Sequence, residues 1–246
     1  MKKLRIICIL GIVLISIWLI ARPSENPTQS VATKTTQQQG FNNKLFSIDD
    51  PASQWVVVNK KRPLNPSTYK PNDLTVPQVT LRTNITSDEK QMRKTAAEHL
   101  ALLAGAAEQQ GVHLTLESGY RSYDFQKNLY SSYVKQQGQA VADTQSARPG
   151  FSEHQTGLAA DLGGVTKPSC NIEACFADTT EGKWLAANVS TYGFVIRYPA
   201  NGQDTTGYVY EPWHIRYVGI ELANEMKKQN STTLEDFFKT GAAGSY

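Results

Sequence analysis

The sequence predicts a single α+β domain in which helices pack on one side of a small antiparallel sheet. Apolar residues repeat at helical spacing from Met92 to Ala107. Apolar and polar residues then alternate from Val112 to Glu117, as in a strand with one buried face. Two further strand-like segments, 194–198 and 211–218, are separated by the turn-forming stretch P-A-N-G-Q-D-T-T-G.

Length and charge limit the number of domains and the kinds of partner. A chain of 246 residues with 40% hydrophobic content can bury one sizeable core. Its net charge of +3 comes from the first 21 residues, because the rest of the chain has 22 basic and 22 acidic residues. A nucleic-acid-binding domain would be strongly basic, so we expect no nucleic-acid partner.

The N-terminus precedes the part of the chain that can fold. Residues 1–21 combine a short positive start with an apolar run from Ile6 to Ala21, as in a signal peptide or a single membrane anchor. We interpret the run as an uncleaved anchor and keep secretion after signal cleavage as the alternative. Residues 22–44 are rich in Ser, Thr, Gln, Asn and Pro, which is typical of a flexible linker. The folded domain is predicted at 45–246.

Local signals place the first elements of the domain. Thr86 and Glu89 have the spacing of a capping box ahead of a helix that ends near Gly111. After the alternating strand, Ser122 can cap a second helix that stops at Gly138. His99, near the apolar edge of the first helix, is interpreted as a structural residue.

The second half of the domain follows the same logic. A helix is predicted over 181–192, with Gly193 closing it. The two strand-like segments described above come next. A short helix is then predicted over 219–228 and a last one over 233–239.

Two cysteines, Cys170 and Cys175, enclose only four residues. Outside the membrane such a pair could form a disulfide, and it could also bind a metal if further ligands were near. We predict the disulfide, which would stabilise the loop between the segments that contain His154 and His214.

Two short segments contain the candidate metal ligands. S-E-H-Q-T-G-L-A-A-D-L at 152–162 contains His154 and Asp161, and Y-E-P-W-H-I-R-Y-V at 210–218 contains Glu211 and His214. A histidine near an aspartate is usually a surface or core pair. Two imidazoles and one carboxylate can instead form a catalytic zinc site with an open fourth position. Glu211 would then be free to act as a base.

The spacing within each segment requires a bend in the backbone. His154 and Asp161 are too far apart for one helical face, so the turn at Gly157 must bring them together from adjacent passes of the chain. Glu211 and His214 would face opposite sides of a regular strand. A kink at Pro212 could bring both side chains to one cleft.

The two segments resemble the signature of the VanY-like zinc D-alanyl-D-alanine carboxypeptidases, which are related to the D-Ala-D-Ala dipeptidases. A third matching segment, S-G-Y-R-S at 118–122, lies upstream in the order that this family shows. The resemblance covers roughly residues 55–228. It implies Zn²⁺ as the cofactor, Glu211 as the catalytic base, and His154, Asp161 and His214 as the metal ligands.

The resemblance also implies roles for three polar residues. Arg121, at a predicted strand-to-helix junction, resembles the arginine that binds the substrate and polarises the scissile carbonyl. Gln126 and Ser152 resemble residues of the substrate site. Phe151 departs from the family, in which histidine is frequent at this position, and this affects the polarity of the pocket but not the metal ligands.

The function implied by the resemblance is removal of the C-terminal D-alanine from peptidoglycan stem peptides. An anchor at 1–21 would place a monomeric catalytic domain outside the cell membrane. An L,D-carboxypeptidase, a D-Ala-D-Ala dipeptidase and a cell-wall endopeptidase would use the same ligands, and these alternatives stay open. A non-catalytic zinc-stabilised wall-binding domain is a further alternative, although it would have no need for Glu211 as a base.

Overall fold

The computed structural model describes residues 41–246. Its strands are β1 (Leu74–Thr75), β2 (Thr80–Leu81), β3 (Met92–Arg93), β4 (Leu114–Ser118), β5 (Ala159–Gly164), β6 (Phe194–Tyr198) and β7 (Glu211–Tyr217). Its α-helices are α1 (Lys94–Glu108), α2 (Tyr123–Gln137), α3 (Gln139–Gln145), α4 (Thr180–Asn188), α5 (Gln203–Thr206), α6 (Ile220–Lys228) and α7 (Leu234–Phe238). The predicted α+β class is confirmed.

The main sheet is mixed, which corrects the prediction of an antiparallel sheet. Its strand order is β2-β4-β5-β7-β6, and β2 runs parallel to β4 while the other pairs are antiparallel. The chain leaves β2, passes through α1 and returns as β4, and a crossover of this kind makes the two strands parallel. With only two residues, β2 has no detectable sequence pattern.

The first helix begins later than the capping box predicted. Thr86 and Glu89 do bond reciprocally, since Glu89 N donates to Thr86 Oγ1 (3.2 Å) and Thr86 N donates to Glu89 Oε2 (3.3 Å). They close a single turn, and the chain then forms β3 before α1 starts at Lys94. The box was assigned to the wrong element because its local signature is the same in an isolated turn.

The other predicted elements are confirmed with small changes of boundary. Ser122 caps α2, since its Oγ accepts from Phe125 N (3.3 Å). The helix predicted over 181–192 is α4 followed by a 3₁₀ turn at Val189–Tyr192. His99 is structural, with Nδ1 3.1 Å from Tyr192 O.

Two apolar clusters hold the domain together. The larger one joins α1 and α4 to the inner faces of β4, β5, β6 and β7. The smaller one joins Trp55 to Val218, Leu222 and Leu234, and Trp55 Nε1 donates to Val218 O (2.8 Å). The central strands β5 and β7 are buried along their whole length, so side chains between them are shielded from solvent.

Two further predictions concern the loop and the N-terminus. Cys170 and Cys175 form a disulfide, as predicted. The predicted anchor at 1–21 and most of the predicted linker at 22–44 lie outside the described residues. Within residues 41–246, no helix has the length and apolarity needed to cross a bilayer.

Candidate active site

Two of the predicted metal ligands face each other across the middle of the sheet. Asp161 on β5 and His214 on β7 are paired in the antiparallel register. Directly opposed side chains on one face of a sheet lie close together. Here His214 Nδ1 is 3.0 Å from Asp161 Oδ1, and both side chains are buried.

The third predicted ligand comes from a turn beside β5. His154 lies in the 3₁₀ turn Glu153–Thr156, which Gly157 ends in a left-handed conformation (φ +69°). His154 Nδ1 lies 2.6 Å from Gly119 O. A carbonyl only accepts hydrogen bonds, so Nδ1 bears the proton and the lone pair of Nε2 points into the site. His154 Nε2 is 3.3 Å from Asp161 Oδ2, and the two residues come from separate passes of the backbone, as predicted.

Glu211 and His214 reach the same cleft because β7 is irregular. Ile196 pairs with Ile215, but Tyr198 pairs with Glu211, so β7 contains two more residues than β6 between these pairs. The bulge places Glu211 Oε2 3.6 Å from His214 Nδ1. Burial, with a further contribution from the charge of Asp161, raises the pKa of Glu211 to about 8. A carboxyl group with a pKa near neutrality is suited to proton transfer.

Arg121 reaches over the ligands from the junction between β4 and α2. Its Nε donates to Ser118 Oγ (3.0 Å), which anchors the guanidinium. Its Nη2 lies 2.6 Å from Asp161 Oδ2 and 2.7 Å from His154 Nε2. The guanidinium therefore places a positive charge where two of the three predicted ligands converge.

The other two predicted substrate-binding residues occupy different positions. Ser152 is buried in the wall of the pocket above the ligands. Gln126 is fully buried behind Arg121, with Oε1 accepting from Arg121 Nη1 (3.5 Å). Gln126 Nε2 donates to Ala147 O (2.7 Å) and so connects α2 with the loop before Ser152.

Glu153, which no sequence pattern singles out, lies directly beneath the site. Its Oε1 accepts from Arg197 Nε (2.8 Å) and from Arg216 Nη1 (2.7 Å). Glu235 on α7 pairs with the other side of Arg197 at 2.9 and 2.6 Å. All four side chains are fully buried. Charged residues are rarely fully buried unless they are paired with opposite charges. Here the paired residues are far apart in sequence, so no local pattern identifies them.

The wall of the pocket contains further side chains that the sequence motifs did not predict. They are aromatic and aliphatic residues from β6, β7, α2, the disulfide loop and the segment before β7, namely Leu129, Tyr133, Ile172, Tyr198, Tyr208 and Trp213. An apolar side chain in a pocket and one in a core have the same sequence signal, so periodicity could not distinguish them.

The chemistry of the three predicted ligands fits a zinc ion. One nitrogen or oxygen from each of His154, Asp161 and His214 lies within 4.8 Å of the others. Asp161 Oδ1 is buried without a hydrogen-bond partner, as expected of an oxygen that would coordinate a metal ion. Two imidazole nitrogens and one carboxylate are a donor set that zinc prefers.

Comparison with known proteins identifies the family of the chain. The family model described as VanY, D-alanyl-D-alanine carboxypeptidase, matches residues 89–220. The protein YodJ of Bacillus subtilis (strain 168) is 40% identical over 195 residues, which are 79% of this chain and 70% of YodJ.

Two solved structures resemble the fold. The LdcB LD-carboxypeptidase has a TM-score of 0.72 at 41% identity, with 77% of this chain and 87% of that chain covered. A mutant of the vancomycin resistance D,D-pentapeptidase VanY from the VanB-type cassette, in complex with Zn(II), has a TM-score of 0.58 at 30% identity, with 74% and 97% covered. The chain therefore belongs to the VanY D-alanyl-D-alanine carboxypeptidase family.

Proposed function

We propose that this chain is a zinc-dependent carboxypeptidase that removes the C-terminal D-alanine from peptidoglycan stem peptides. The observation that supports it best is the position of Glu211 and Arg121. Both side chains reach the His154, Asp161 and His214 cluster, Glu211 from the start of β7 and Arg121 from the junction between β4 and α2. A proton acceptor and a fixed cation on either side of one metal-ligand set are the groups that peptide hydrolysis requires.

His154, Asp161 and His214 would hold the zinc ion in this proposal. When bound, zinc acidifies water and polarises a carbonyl. His154 is already oriented for the task by its bond to Gly119 O (2.6 Å). His214 presents Nδ1 to Asp161, 3.0 Å away.

Glu211 would act as the general base and then as the acid. It would accept a proton from the attacking water and deliver it to the leaving amine. Its Oε2 lies 3.6 Å from His214 Nδ1, so the carboxylate borders the ligand cluster where the attacking water would be held. Arg121 stays anchored to Ser118 through Nε, so its other guanidinium nitrogens can donate to the carbonyl oxygen as negative charge develops there.

Gln126 and Ser152 would support substrate binding in different ways. Ser152 lies in the pocket wall, where its side chain can contact a peptide. Gln126 lies behind Arg121, so we propose that it acts by holding the arginine and the loop at Ala147.

The residue before the cleaved bond distinguishes two activities. D,D-carboxypeptidase activity is the main proposal, and L,D-carboxypeptidase activity is the second candidate. The LdcB LD-carboxypeptidase has a higher identity and a higher TM-score than the VanY pentapeptidase structure. That similarity favours cleavage of tetrapeptide stems. The family model favours the D,D reading, which we retain as the main proposal.

We further propose the organisation of the whole chain. Residues 1–21 would anchor it in the cell membrane, 22–44 would form a flexible linker, and 45–246 would form a monomeric catalytic domain outside the membrane. The apolar run at the N-terminus and the polar stretch after it support this arrangement. Secretion after cleavage of residues 1–21 is the alternative.

The test is incubation of the purified full-length chain with defined stem pentapeptide and tetrapeptide, with and without a chelator, followed by mass spectrometry. Loss of one D-Ala from the pentapeptide supports D,D-carboxypeptidase activity. Loss of D-Ala from the tetrapeptide alone supports L,D-carboxypeptidase activity. No cleavage of either peptide, with zinc bound, contradicts the proposal and favours an endopeptidase or a wall-binding domain.

A further inference from the structure

Ile172 is an exposed apolar residue of the pocket with an unusual backbone conformation. It lines the pocket above the metal-ligand cluster. It is 42% exposed, although it is a large apolar side chain. Its φ of +58° lies in the left-handed region, which β-branched residues avoid. Backbone outliers of this kind persist where the surrounding structure imposes them, and they cluster at ligand sites.

The loop that holds Ile172 is fixed on both sides. The Cys170–Cys175 disulfide closes it into a short ring. Asn171 Nδ2 donates to Glu117 Oε1 (3.1 Å), and Asn171 Oδ1 accepts from Gly164 N (2.9 Å). These bonds attach the loop to β4 and β5 at the residue immediately before Ile172, so the side chain is held over the pocket.

The distance from the metal ligands indicates which part of a substrate Ile172 meets. Asn171 contacts Gly164, three residues along β5 from Asp161, and a strand rises about 3.4 Å per residue, so the separation is on the order of 10 Å. One extended residue spans at most about 3.6 Å. The single residue released by a carboxypeptidase spans less than the distance along β5 between the ligand Asp161 and the point where the loop is attached, so we assign the contact with the loop to residues on the amino side of the cut.

We propose that Ile172 is a specificity-determining residue, which binds aliphatic groups of the peptide that precede the two residues flanking the cleaved bond. This rests on the proposed carboxypeptidase function. Leu129 and Tyr133 line the same pocket as Ile172 and add to its apolar surface. Methyl or methylene groups of a stem peptide are the chemistry that such a wall recognises.

The test compares two substrates with each variant. One is the stem peptide that the wild-type protein cleaves, and the other is an acetylated dipeptide with the same last two residues. Ile172→Asn removes the apolar side chain, and asparagine tolerates the left-handed backbone. We expect the KM for the stem peptide to rise roughly fivefold to tenfold with kcat nearly unchanged, and no change for the dipeptide.

Two further variants control the experiment. Val165→Asn removes another apolar side chain, 50% exposed, that is not part of the pocket wall, and it should leave both substrates unaffected. The double variant Cys170→Ser, Cys175→Ser keeps Ile172 but frees the loop, and it should raise the KM for the stem peptide alone. A melting temperature of Ile172→Asn no lower than that of the wild type separates lost binding from unfolding, and Ile172→Gly serves if the asparagine variant does not fold.

The outcomes separate this proposal from the one on which it rests. An unchanged KM for the stem peptide in Ile172→Asn, or an equal rise for both substrates, overturns the role of Ile172 alone. Failure of the zinc-loaded wild-type protein to cleave either substrate overturns the proposed carboxypeptidase function and this proposal with it.

Discussion

Glu153 Oε2 lies 3.5 Å from His214 Nε2, and both atoms are buried without a hydrogen-bond partner. The other carboxylate oxygen of Glu153 is held by Arg197 and Arg216. A carboxylate beside one ring nitrogen fixes the orientation of a metal-binding histidine and leaves the other nitrogen for the metal. The buried ion pairs thus turn His214 Nδ1 toward Asp161 and the pocket.

The first prediction concerns this orientation. In Glu153→Gln, the affinity for zinc should fall about 10- to 100-fold, because His214 loses the carboxylate beside Nε2. The substitution also removes the carboxylate charge that pairs with Arg197 and Arg216, so it should lower the free energy of unfolding by about 3–5 kcal/mol. Chelator competition measures the affinity, and thermal unfolding of the zinc-free protein measures the stability.

Glu235→Gln is the matched control for that experiment. Glu235 belongs to the same buried ion pairs but contacts Arg197 and Asn59 rather than His214. It should lower the stability of the zinc-free protein by a similar amount and leave the zinc affinity nearly unchanged. Equal losses of affinity in both variants would show that Glu153 acts only through the stability of the fold.

The second prediction concerns the base. Glu211→Gln should lower kcat by roughly 10²- to 10⁴-fold, because the amide cannot accept the proton. The zinc content, measured by atomic emission, should stay at the wild-type level, since His154, Asp161 and His214 are intact. Glu181→Gln, a glutamate that bonds Val165 N and Thr166 N away from the pocket, should retain activity. Substantial turnover by Glu211→Gln would assign the proton transfer to another group.

The third prediction concerns the guanidinium over the ligands. Arg121→Lys keeps the charge but removes the fork that reaches Ser118 and Asp161 at the same time. We expect kcat/KM to fall about 10²- to 10³-fold, as for the loss of an oxyanion donor. Steady-state kinetics on the stem peptide measure it, and Arg82→Lys, at a salt bridge with Glu89 outside the pocket, is the control. Wild-type kinetics in Arg121→Lys would exclude a bidentate role.

The fourth prediction concerns acid stability. Burial raises the pKa of the Glu153 carboxyl, but the charges of Arg197 and Arg216 outweigh burial and hold it well below its usual range. A lowered pKa in the folded state stabilises the protein above the unfolded-state value, about 4.3, and this contribution is lost as the pH falls below it. Urea unfolding of the zinc-free protein should therefore give a free energy that declines below about pH 4.5. In Glu153→Gln the free energy of unfolding should decrease less steeply with falling pH. A decrease as steep as in the wild type would contradict the role of the Glu153 carboxyl in acid stability.

Local patterns in the sequence predicted the elements that local interactions stabilise. Ser122 caps α2 as expected because a cap involves only residues three positions apart. The capping box at Thr86 was recognised correctly but assigned to the helix, since the same bonds also close a lone turn. The parallel strand β2 was missed because two residues have no periodicity.

The sequence by itself determined the chemistry of the site: two histidines, an aspartate, a glutamate and an arginine, in three short segments of recognisable spacing. Only the tertiary structure decided how they meet. Asp161 and His214 are 53 residues apart in sequence and become neighbours through the register of β5 and β7. Glu153 is held under His214 by arginines from two strands, and one of these, Arg197, also pairs with a glutamate from α7. The physical reason is that pairing between strands and burial of charge depend on contacts between distant segments, which no local pattern records.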